Sequence, residues 1–351
     1  MSFSLFTTAC TVQKTGNYNV KGIVFGQPVD LSVDNILAKQ MIEDSTKFDY
    51  QNIDKELSKP RITTNFLISL TKKYSIDVAT VYFLQKTYSE NKDFYSSYSN
   101  TLAQLSKGES PPELEKLKGY TFLFVPGLAY KADTSTGADF ARQRRLLDHY
   151  GVKNRLINTA EWGLCDDNAK IVADEIKKEK GRAIVLVSAS KGSIEAYIAL
   201  NDLLDSNEIK KVHSWISVGG ILNGSPIADK YTKFPYSWFA KIVLVLNRIN
   251  NAVIKDLSYK SRTRDLRKNQ LPANLKIIHF VGVPFSLQLS ADVKGPYKHI
   301  KKLGPNDGLT PIADQLLPGG IVICEIGLDH YFRSVTIDLK TLALGCLAVS
   351  N

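Results

Sequence analysis

At residues 184–192 the chain reads IVLVSASKG, and this stretch decides the fold. The run Ala183–Val187 is short and continuously apolar, which is typical of a strand buried on both faces of a sheet. A helical pattern follows directly and continues through Leu203. Because a buried strand that leads straight into a helix is half of a βα unit, we expect a parallel sheet.

The same alternation of strand and helix continues outward from this stretch to the carboxyl terminus. Further strands are predicted at Thr121–Val125, Asn154–Ile157, His213–Val218, Lys276–Val281 and Ile321–Ile326. Further helices are predicted at Gly137–Tyr150 and Asp166–Lys180, with a closing helix from Ser334. The expected fold class is therefore α/β, a mainly parallel sheet covered by helices on both faces.

Residues 31–118 lack this alternation and are predicted to be mostly helical. The periodicity of apolar residues indicates helices at Val33–Ile42, Thr64–Tyr74, Ile76–Tyr88 and Ser97–Ser106. A Gly-Glu-Ser-Pro-Pro linker at residues 108–112 separates them from the α/β part. We expect an extension at residues 1–30, a helical segment at 31–118 and an α/β domain at 119–351, with an insertion at about 230–275.

Composition excludes several classes of protein. The chain has 351 residues, a formal net charge of +10 and four cysteines, too few and too scattered for a disulfide scaffold. No spacing of cysteines and histidines indicates zinc, and we expect neither a metal nor a cofactor. Lysines are spread along the whole chain, and the densest basic patch, at residues 260–268, resembles a solvated helix face. We therefore expect no nucleic-acid partner.

The amino terminus has two interpretations that the sequence leaves open. Residues 1–10, MSFSLFTTAC, are apolar and end in small residues before Cys10, like the end of a lipoprotein signal. A basic region and a full apolar stretch are missing from this signal. Either a shortened signal places the protein in the cell envelope or outside the cell, or this is an ordinary terminus of a cytoplasmic protein.

The pattern Ser-x-Ser-x-Gly at residues 188–192 lies between the predicted strand and helix. In this context a sharp turn can expose one hydroxyl as a nucleophile, and small neighbours relieve the crowding around it. Ser190 holds the exposed position, while Ser188 replaces the glycine that is usual two residues earlier. The alternative is an ordinary turn in which Ser190 only caps the helix.

A serine nucleophile needs a general base, and His330 has the best position for it. It follows the last predicted strand, in Gly-Leu-Asp-His at residues 327–330, and precedes the closing helix. The other four histidines lie in predicted helices or strands or in a lysine-rich loop: His149, His213, His279 and His299.

The acid that orients the base should lie between the nucleophile and the histidine. Asp307 lies there, in Gly-Pro-Asn-Asp-Gly-Leu-Thr at residues 304–310. This segment could also be a simple Asn-Asp-Gly turn, and Asp292 is a rival acid.

An oxyanion hole needs two backbone N–H groups that point to the developing charge. We expect one from Lys191, which follows the nucleophile, and one from Leu128, in the turn after the first strand of the domain. Pro126-Gly127 could instead only end that strand.

From about residue 119 to the end, the chain resembles the α/β-hydrolase superfamily, and within it bacterial lipases and esterases. The resemblance rests on SASKG at residues 188–192, GPNDGLT at 304–310, GLDH at 327–330 and GSPIAD at 224–229. It departs from the family pattern where Val125-Pro126 stands in place of the usual histidine before Gly127. The resemblance implies hydrolysis of carboxylic esters through an acyl-enzyme.

The insertion after Asp229 carries aromatic residues and an apolar stripe at helical spacing that ends at Ile254. We interpret it as a lid that contacts the substrate, and the alternative is a helix packed on the core. The residues expected to bind substrate there are Trp238, Phe239, Val243, Leu246 and Ile249.

The sequence thus predicts a lipase-like serine esterase with the triad Ser190, Asp307 and His330. Small-molecule or lipid esters are the expected substrates, and the basic charge leaves contact with a membrane surface open. Two alternatives remain: an acyltransferase that uses the same triad, and a non-catalytic binding protein of the same fold.

Overall fold

The computed structural model describes residues 16–44, 62–181, 183–233, 252–263 and 271–350. Two predictions concern residues outside these ranges, the signal-like end at Cys10 and the lid residues Trp238, Phe239, Val243, Leu246 and Ile249. Within the described ranges, no helix is long and apolar enough to cross a membrane.

Six parallel strands form the central sheet of the described chain. In chain order they are β3 Tyr120–Val125, β4 Asn154–Leu156, β5 Ala183–Ala189, β6 Val212–Val218, β7 Lys276–Val283 and β8 Ile321–Ile326. Their spatial order is β4-β3-β5-β6-β7-β8. Each matches a predicted strand to within two residues at either end. The predicted α/β class with a parallel sheet is confirmed.

Helices cover both faces of this sheet. In chain order the described helices are α1 Ile36–Glu43, α2 Thr64–Lys73, α3 Ile76–Glu90, α4 Lys92–Ser106, α5 Pro112–Lys116, α6 Ala141–His149, α7 Cys165–Lys178, α8 Lys191–Ile198, α9 Ser206–Ile209, α10 Pro226–Tyr231, α11 Ala252–Asp256, α12 Tyr259–Arg262, α13 Ala291–Ile300 and α14 Ile337–Val349. Side chains alternate across each strand, so β5 buries Ile184 and Leu186 with α7 and α8, and Val185 and Val187 on the opposite face with α14.

Side-chain caps mark where helices α2 and α3 of the amino-terminal segment begin. The Thr63 hydroxyl accepts from the Phe66 N–H at 3.2 Å, and the Ser75 hydroxyl accepts from the Val78 N–H at 3.1 Å. Each bond satisfies a backbone donor that a helix leaves free in its first turn. The helix predicted to start at Val33 begins later, because Val33 still belongs to a strand and Asn35 caps α1.

That strand belongs to an antiparallel hairpin, β1 Tyr18–Val24 and β2 Gln27–Val33, which the sequence analysis did not predict. The hairpin and helices α1 to α4 share one apolar core with the α14 face of the sheet. The segment before residue 119 is therefore packed onto the α/β part along a continuous interior.

The free edge of β8 is covered by side chains from this amino-terminal segment. The N–H of Val322 donates to Asn91 Oδ1 at 3.1 Å, and that of Cys324 donates to the Tyr95 hydroxyl at 2.6 Å. Two residues further, the N–H of Ile326 donates to the side-chain oxygen of Gln27 at 3.0 Å. An exposed strand edge invites pairing with other chains, and these three bonds occupy every second N–H along it.

The parallel register places the carboxyl ends of β3, β5, β6 and β8 along one edge of the sheet. The loops after these strands carry the predicted oxyanion turn, the Ser190 turn and His330. Sites in parallel α/β sheets form at this edge.

Candidate active site

Ser190 occupies a sharp turn between β5 and α8. Its backbone has φ 51° and ψ −118°, a region that residues with a side chain rarely adopt, and its N–H donates to the Val218 carbonyl at 3.0 Å. Such strain costs about 1–3 kcal/mol and persists only where the surroundings impose it. The turn lifts the hydroxyl out of the sheet, so the structure favours the elbow over a simple cap: the Ser190 side chain makes no capping bond to α8.

Gly192 allows α8 to approach the end of β3. A Cβ atom at this position would lie 2.4 Å from the Pro126 carbonyl oxygen and 2.7 Å from that of Val125. Both contacts are with backbone, which cannot easily move aside. The elbow therefore requires glycine here, in agreement with the last position of the sequence pattern.

Ser188, the departure from the usual glycine, is fully buried and has hydrogen-bond partners. Its hydroxyl accepts from the Trp215 indole N–H at 2.8 Å and lies 2.9 Å from the Ser193 hydroxyl, which in turn lies 3.1 Å from that of Ser217. These bonds satisfy polar groups that burial would otherwise leave unpaired. The elbow conformation is thus present with serine at position 188.

His330 connects the predicted nucleophile to the predicted acid. Its Nε2 lies 2.9 Å from Ser190 Oγ, and its Nδ1 lies 2.7 Å from Asp307 Oδ2. Because a carboxylate can only accept, Nδ1 carries the proton and Nε2 presents its lone pair to the serine hydroxyl. The three side chains, far apart in sequence, therefore form one hydrogen-bonded chain.

Asp307 is fully buried, and donors surround both of its carboxylate oxygens. Oδ1 accepts from the N–H groups of Leu309 and Thr310, both at 2.9 Å. Oδ2 accepts from Gln315 Nε2 at 2.9 Å as well as from the histidine. The rival acid Asp292 lies instead on the surface, 2.6 Å from the Arg333 guanidinium. Of the two acids, Asp307 is the one in contact with His330.

The two predicted oxyanion donors come from separate segments. Leu128 lines the same cavity as Ser190, and Lys191 is the first residue of α8. Neither backbone N–H has an acceptor among the described residues, whereas the N–H of Gly127 is used by the Ala138 carbonyl at 3.1 Å. Both groups therefore remain available to a substrate oxygen.

The side chain of Lys191 has a separate role that the sequence analysis did not anticipate. It is 2% exposed and forms an ion pair with the buried Glu195 one helical turn further on. Asn168 Nδ2 donates to the same carboxylate at 2.7 Å. Burial raises the pKa of Glu195, while Lys191 and Asn168 oppose that shift. The spacing of four residues was the available signal for this pair.

A cavity of about 390 Å³ opens beside Ser190 and His330. Its apolar lining includes Ile221, Ile227, Leu257, Phe140, Phe332 and Ile337. Among its described lining residues there is no lysine or arginine, and the only carboxylate is that of Asp133. The cavity is therefore mostly apolar. No described group of three His, Cys, Asp or Glu side chains is arranged to hold a metal.

The predicted lid residues themselves lie outside the described residues, but the chain on both sides of them borders the cavity. Tyr231, at the end of α10, and Ile254, in α11, both line it. Val253, in the same apolar stripe, is 2% exposed and packs in the core. At the end of the stripe, Ile254 therefore agrees with a lid and Val253 with a helix packed on the core. The lid stays a prediction.

Comparisons with proteins of known structure identify the fold. No family model and no curated protein sequence matches the chain. A metagenomic carboxyl esterase of known structure is 21% identical, with a TM-score of 0.53, over 66% of this chain and 75% of the esterase. A mature lipase from Bacillus licheniformis is 21% identical, with a TM-score of 0.51, over 63% of this chain and 90% of the lipase. The predicted resemblance is confirmed at the level of the fold: the chain has the α/β-hydrolase fold.

Proposed function

We propose that this protein is a serine hydrolase that cleaves carboxylic esters through an acyl-enzyme. The observation that carries the proposal is the Ser190–His330–Asp307 chain, with contacts of 2.9 and 2.7 Å, at a strained elbow beside an apolar cavity. Backbone strain of this kind clusters at functional sites, which supports a role for Ser190 beyond capping α8. The esterase and lipase of similar fold support the same class of reaction.

In the first half of the reaction, Ser190 Oγ transfers its proton to His330 Nε2 and bonds to the ester carbonyl carbon. Asp307 stabilises the imidazolium and keeps its ring oriented. The carbonyl oxygen becomes an oxyanion, and we assign its stabilisation to the N–H groups of Leu128 and Lys191. When the tetrahedral intermediate collapses, the alcohol leaves with the proton from Nε2.

In the second half, water replaces the alcohol. His330 Nε2 takes a proton from water, which attacks the acyl carbon and forms a second tetrahedral intermediate. Collapse of this intermediate breaks the bond to Ser190 Oγ, which recovers the proton from Nε2, and the carboxylic acid leaves.

The cavity points to uncharged, apolar esters. Its described walls offer no lysine or arginine to an acidic group, while apolar side chains make up most of the lining. Burial of apolar surface contributes about 0.8 kcal/mol for each CH₂ group, so longer chains that fill the cavity should bind more tightly.

Labelling with a fluorophosphonate probe tests the proposal, because only an activated serine reacts. We expect labelling and hydrolysis of p-nitrophenyl esters by the wild type, and loss of both in Ser190→Ala. Ser89→Ala is a matched control, since the Ser89 hydroxyl is exposed and bonds only within its own helix, to the Lys86 carbonyl. A wild type that neither reacts with the probe nor hydrolyses any ester of the series would favour a non-catalytic binding protein.

A further inference from the structure

Gln315 makes a contact with the triad that the mechanism above does not use. Its side-chain Nε2 lies 2.9 Å from Asp307 Oδ2, the same oxygen that His330 Nδ1 approaches at 2.7 Å. Gln315 is 1% exposed, and its Oε1 has no partner among the described residues. The opposite amide orientation would place Oε1 against the carboxylate, two acceptors face to face. Donation from Nε2 is therefore the arrangement the surroundings require.

The neighbouring residue, Asp314, is bound by three segments far from it in the chain. In the loop after β6, Asn223 Nδ2 donates to the Asp314 carbonyl at 3.3 Å and lies 3.5 Å from Oδ1. The Thr64 hydroxyl donates to Oδ1 at 2.7 Å, and the Tyr259 hydroxyl donates to Oδ2 at 3.0 Å. Burial raises the pKa of Asp314, and these two donors oppose the shift. Thr64 begins α2 of the amino-terminal segment, and Tyr259 begins α12, which follows the insertion.

Asp314 and Gln315 are joined by a rigid turn. Both belong to the 3₁₀ turn Ile312–Gln315, which is held by the bond from the Ile312 N–H to the Pro305 carbonyl at 3.0 Å. Successive side chains in a 3₁₀ helix lie about 120° apart, so neighbours face different surroundings. One residue of the turn consequently contacts the amino-terminal segment while the next contacts the triad.

We propose that Gln315 is a positioning residue for Asp307, and that the amino-terminal segment holds it in place through Thr64 and Asp314. The inference rests on the proposed function. Gln315 fixes the plane of the Asp307 carboxylate against the imidazole and withdraws part of its negative charge. Asp314 anchors the turn that carries Gln315. Thr64, which contacts Asp314, therefore affects the triad without touching it. Residues before the α/β part thereby take part in setting the rate.

The first experiment is Gln315→Leu, measured as kcat, KM and the pH dependence of kcat/KM on a short p-nitrophenyl ester. We expect kcat to fall about 10-fold, because loss of a hydrogen bond to a charged group loosens the orientation of the base, with KM within about twofold. The acid limb of the pH profile should move to higher pH. Without the hydrogen bond from Gln315, the Asp307 carboxylate keeps more of its negative charge and stabilises the imidazolium more strongly.

Gln85→Leu is the matched control for this variant. Gln85 is also a buried glutamine, and its Nε2 donates to the Met41 carbonyl at 2.9 Å, away from the triad. We expect it to lower the melting temperature while kcat and the pH profile stay those of the wild type. If Gln315→Leu behaves in the same way as Gln85→Leu, its role is only structural and the proposal is wrong.

The second experiment tests the connection through Asp314. Thr64→Val keeps the shape of the side chain and removes the donor, and we expect a decrease in kcat of about threefold. In a Gln315→Leu background the same change should have no further effect on kcat, because the residue through which it acts is gone. Thr71→Val is the control on the same helix, since the Thr71 hydroxyl bonds only to the Leu67 carbonyl of α2.

The outcomes separate this inference from the proposed function. Fluorophosphonate labelling of the wild type tests the serine hydrolase, whatever the Gln315 variants do. If the wild type is labelled but Thr64→Val leaves kcat unchanged, or lowers it equally in both backgrounds, the connection through Asp314 is refuted. Thr64 is only partly buried, so its valine variant remains informative should Gln315→Leu fold poorly.

Discussion

The α/β part from residue 119 onward and the amino-terminal segment before it differ in how far apart their partners lie in the chain. In the α/β part, a strand and the helix that covers it follow one another, as β5 and α8 do. In the amino-terminal segment, the hairpin meets a strand 297 residues away, through the bond from Gln27 to the Cys324 carbonyl. The comparison teaches that the second region is an integral support of the first, although only the first carries the residues proposed to react.

Each region also buries an ionisable group, and the two groups have opposite effects on how stability depends on pH. Burial lowers the pKa of His279, in β7, from its ordinary 6.5 to about 4. Burial, with the charge of Asp34, raises the pKa of Asp77, in α3, from 3.8 to about 7. The unfolded chain binds the histidine proton more readily than the native protein, and the native protein keeps the aspartate proton more readily than the unfolded chain. As the pH falls, His279 should therefore lower the free energy of unfolding, and Asp77 should raise it.

The largest expected effect concerns the acid in the α/β part. Asp307→Asn should lower kcat about 10⁴-fold, because an amide neither stabilises the imidazolium nor enforces the correct tautomer. Asp292→Asn, which only breaks a surface ion pair, should change kcat less than about twofold. Steady-state kinetics of both variants on one ester provide the measurement. The reverse ranking would move the acid to Asp292.

A second prediction concerns His279. Its contribution to the free energy of unfolding is fully present above pH 6.5 and is lost as the pH falls toward 4, a decrease of about 3 kcal/mol. In the wild type, the Leu317 N–H donates to His279 Nε2 at 3.0 Å. His279→Gln keeps an acceptor for this N–H group. Denaturant unfolding at several pH values should show a shallower decline for the variant. Parallel curves for the two proteins would contradict the assignment.

A third prediction concerns the edge of β8, where the two regions meet. Tyr95→Phe leaves the Cys324 N–H without its acceptor and should lower the free energy of unfolding by about 2 kcal/mol. Hydrogen exchange at the Cys324 amide should become faster than in the wild type. Tyr88→Phe serves as the control, since the Tyr88 hydroxyl has no hydrogen-bond partner among the described residues. Equal losses in both variants would mean that ring packing, and not the edge bond, is what Tyr95 contributes.

The smallest effect is expected for Asp34→Asn in the amino-terminal segment. Neither carboxylate oxygen of Asp34 has a hydrogen-bond partner among the described residues, so the change removes charge and no such bond. The pKa of Asp77 should move toward its ordinary value. The decrease in the free energy of unfolding as the pH rises from about 4 to 7 should therefore shrink by about 1 kcal/mol. The exposed Asp44→Asn is the control for general charge. A wild-type slope in Asp34→Asn would exclude coupling of the two carboxylates.

The sequence was sufficient for the sheet and for the order of the candidate triad, because both follow from short-range patterns. Ser190 stands between a strand and a helix, and His330 follows the last strand, so the parallel topology alone brings them to one edge. The motif around Asp307 selected the acid that the structure places at the histidine. Catalytic roles for these residues stay predictions until the variants are measured.

The sequence was less informative about the amino-terminal segment. In β2, Val29, Leu31 and Val33 alternate with polar residues, a signal that could have been recognised as a half-buried strand. In β1 the pattern is interrupted by Gly22, and Ile23 is 79% exposed, so periodicity gives no guide there. The contacts of Asp314 with Thr64 and Tyr259 join segments far apart in the chain, and no local pattern encodes them.

The covered edge of β8 also implies an order of assembly during synthesis. Gln27 and Cys324 are 297 residues apart, so the hairpin leaves the ribosome long before the strand it completes exists. Contacts of such long range form late and slow the folding of a domain. Until then, the inward side chains of the hairpin, Val20 and Leu31 among them, remain without their native neighbours. The hairpin is thus made before β8 but acquires its native contacts with that strand only after β8 has been made. A nascent chain released before β8 would keep the apolar side chains of the hairpin without these contacts.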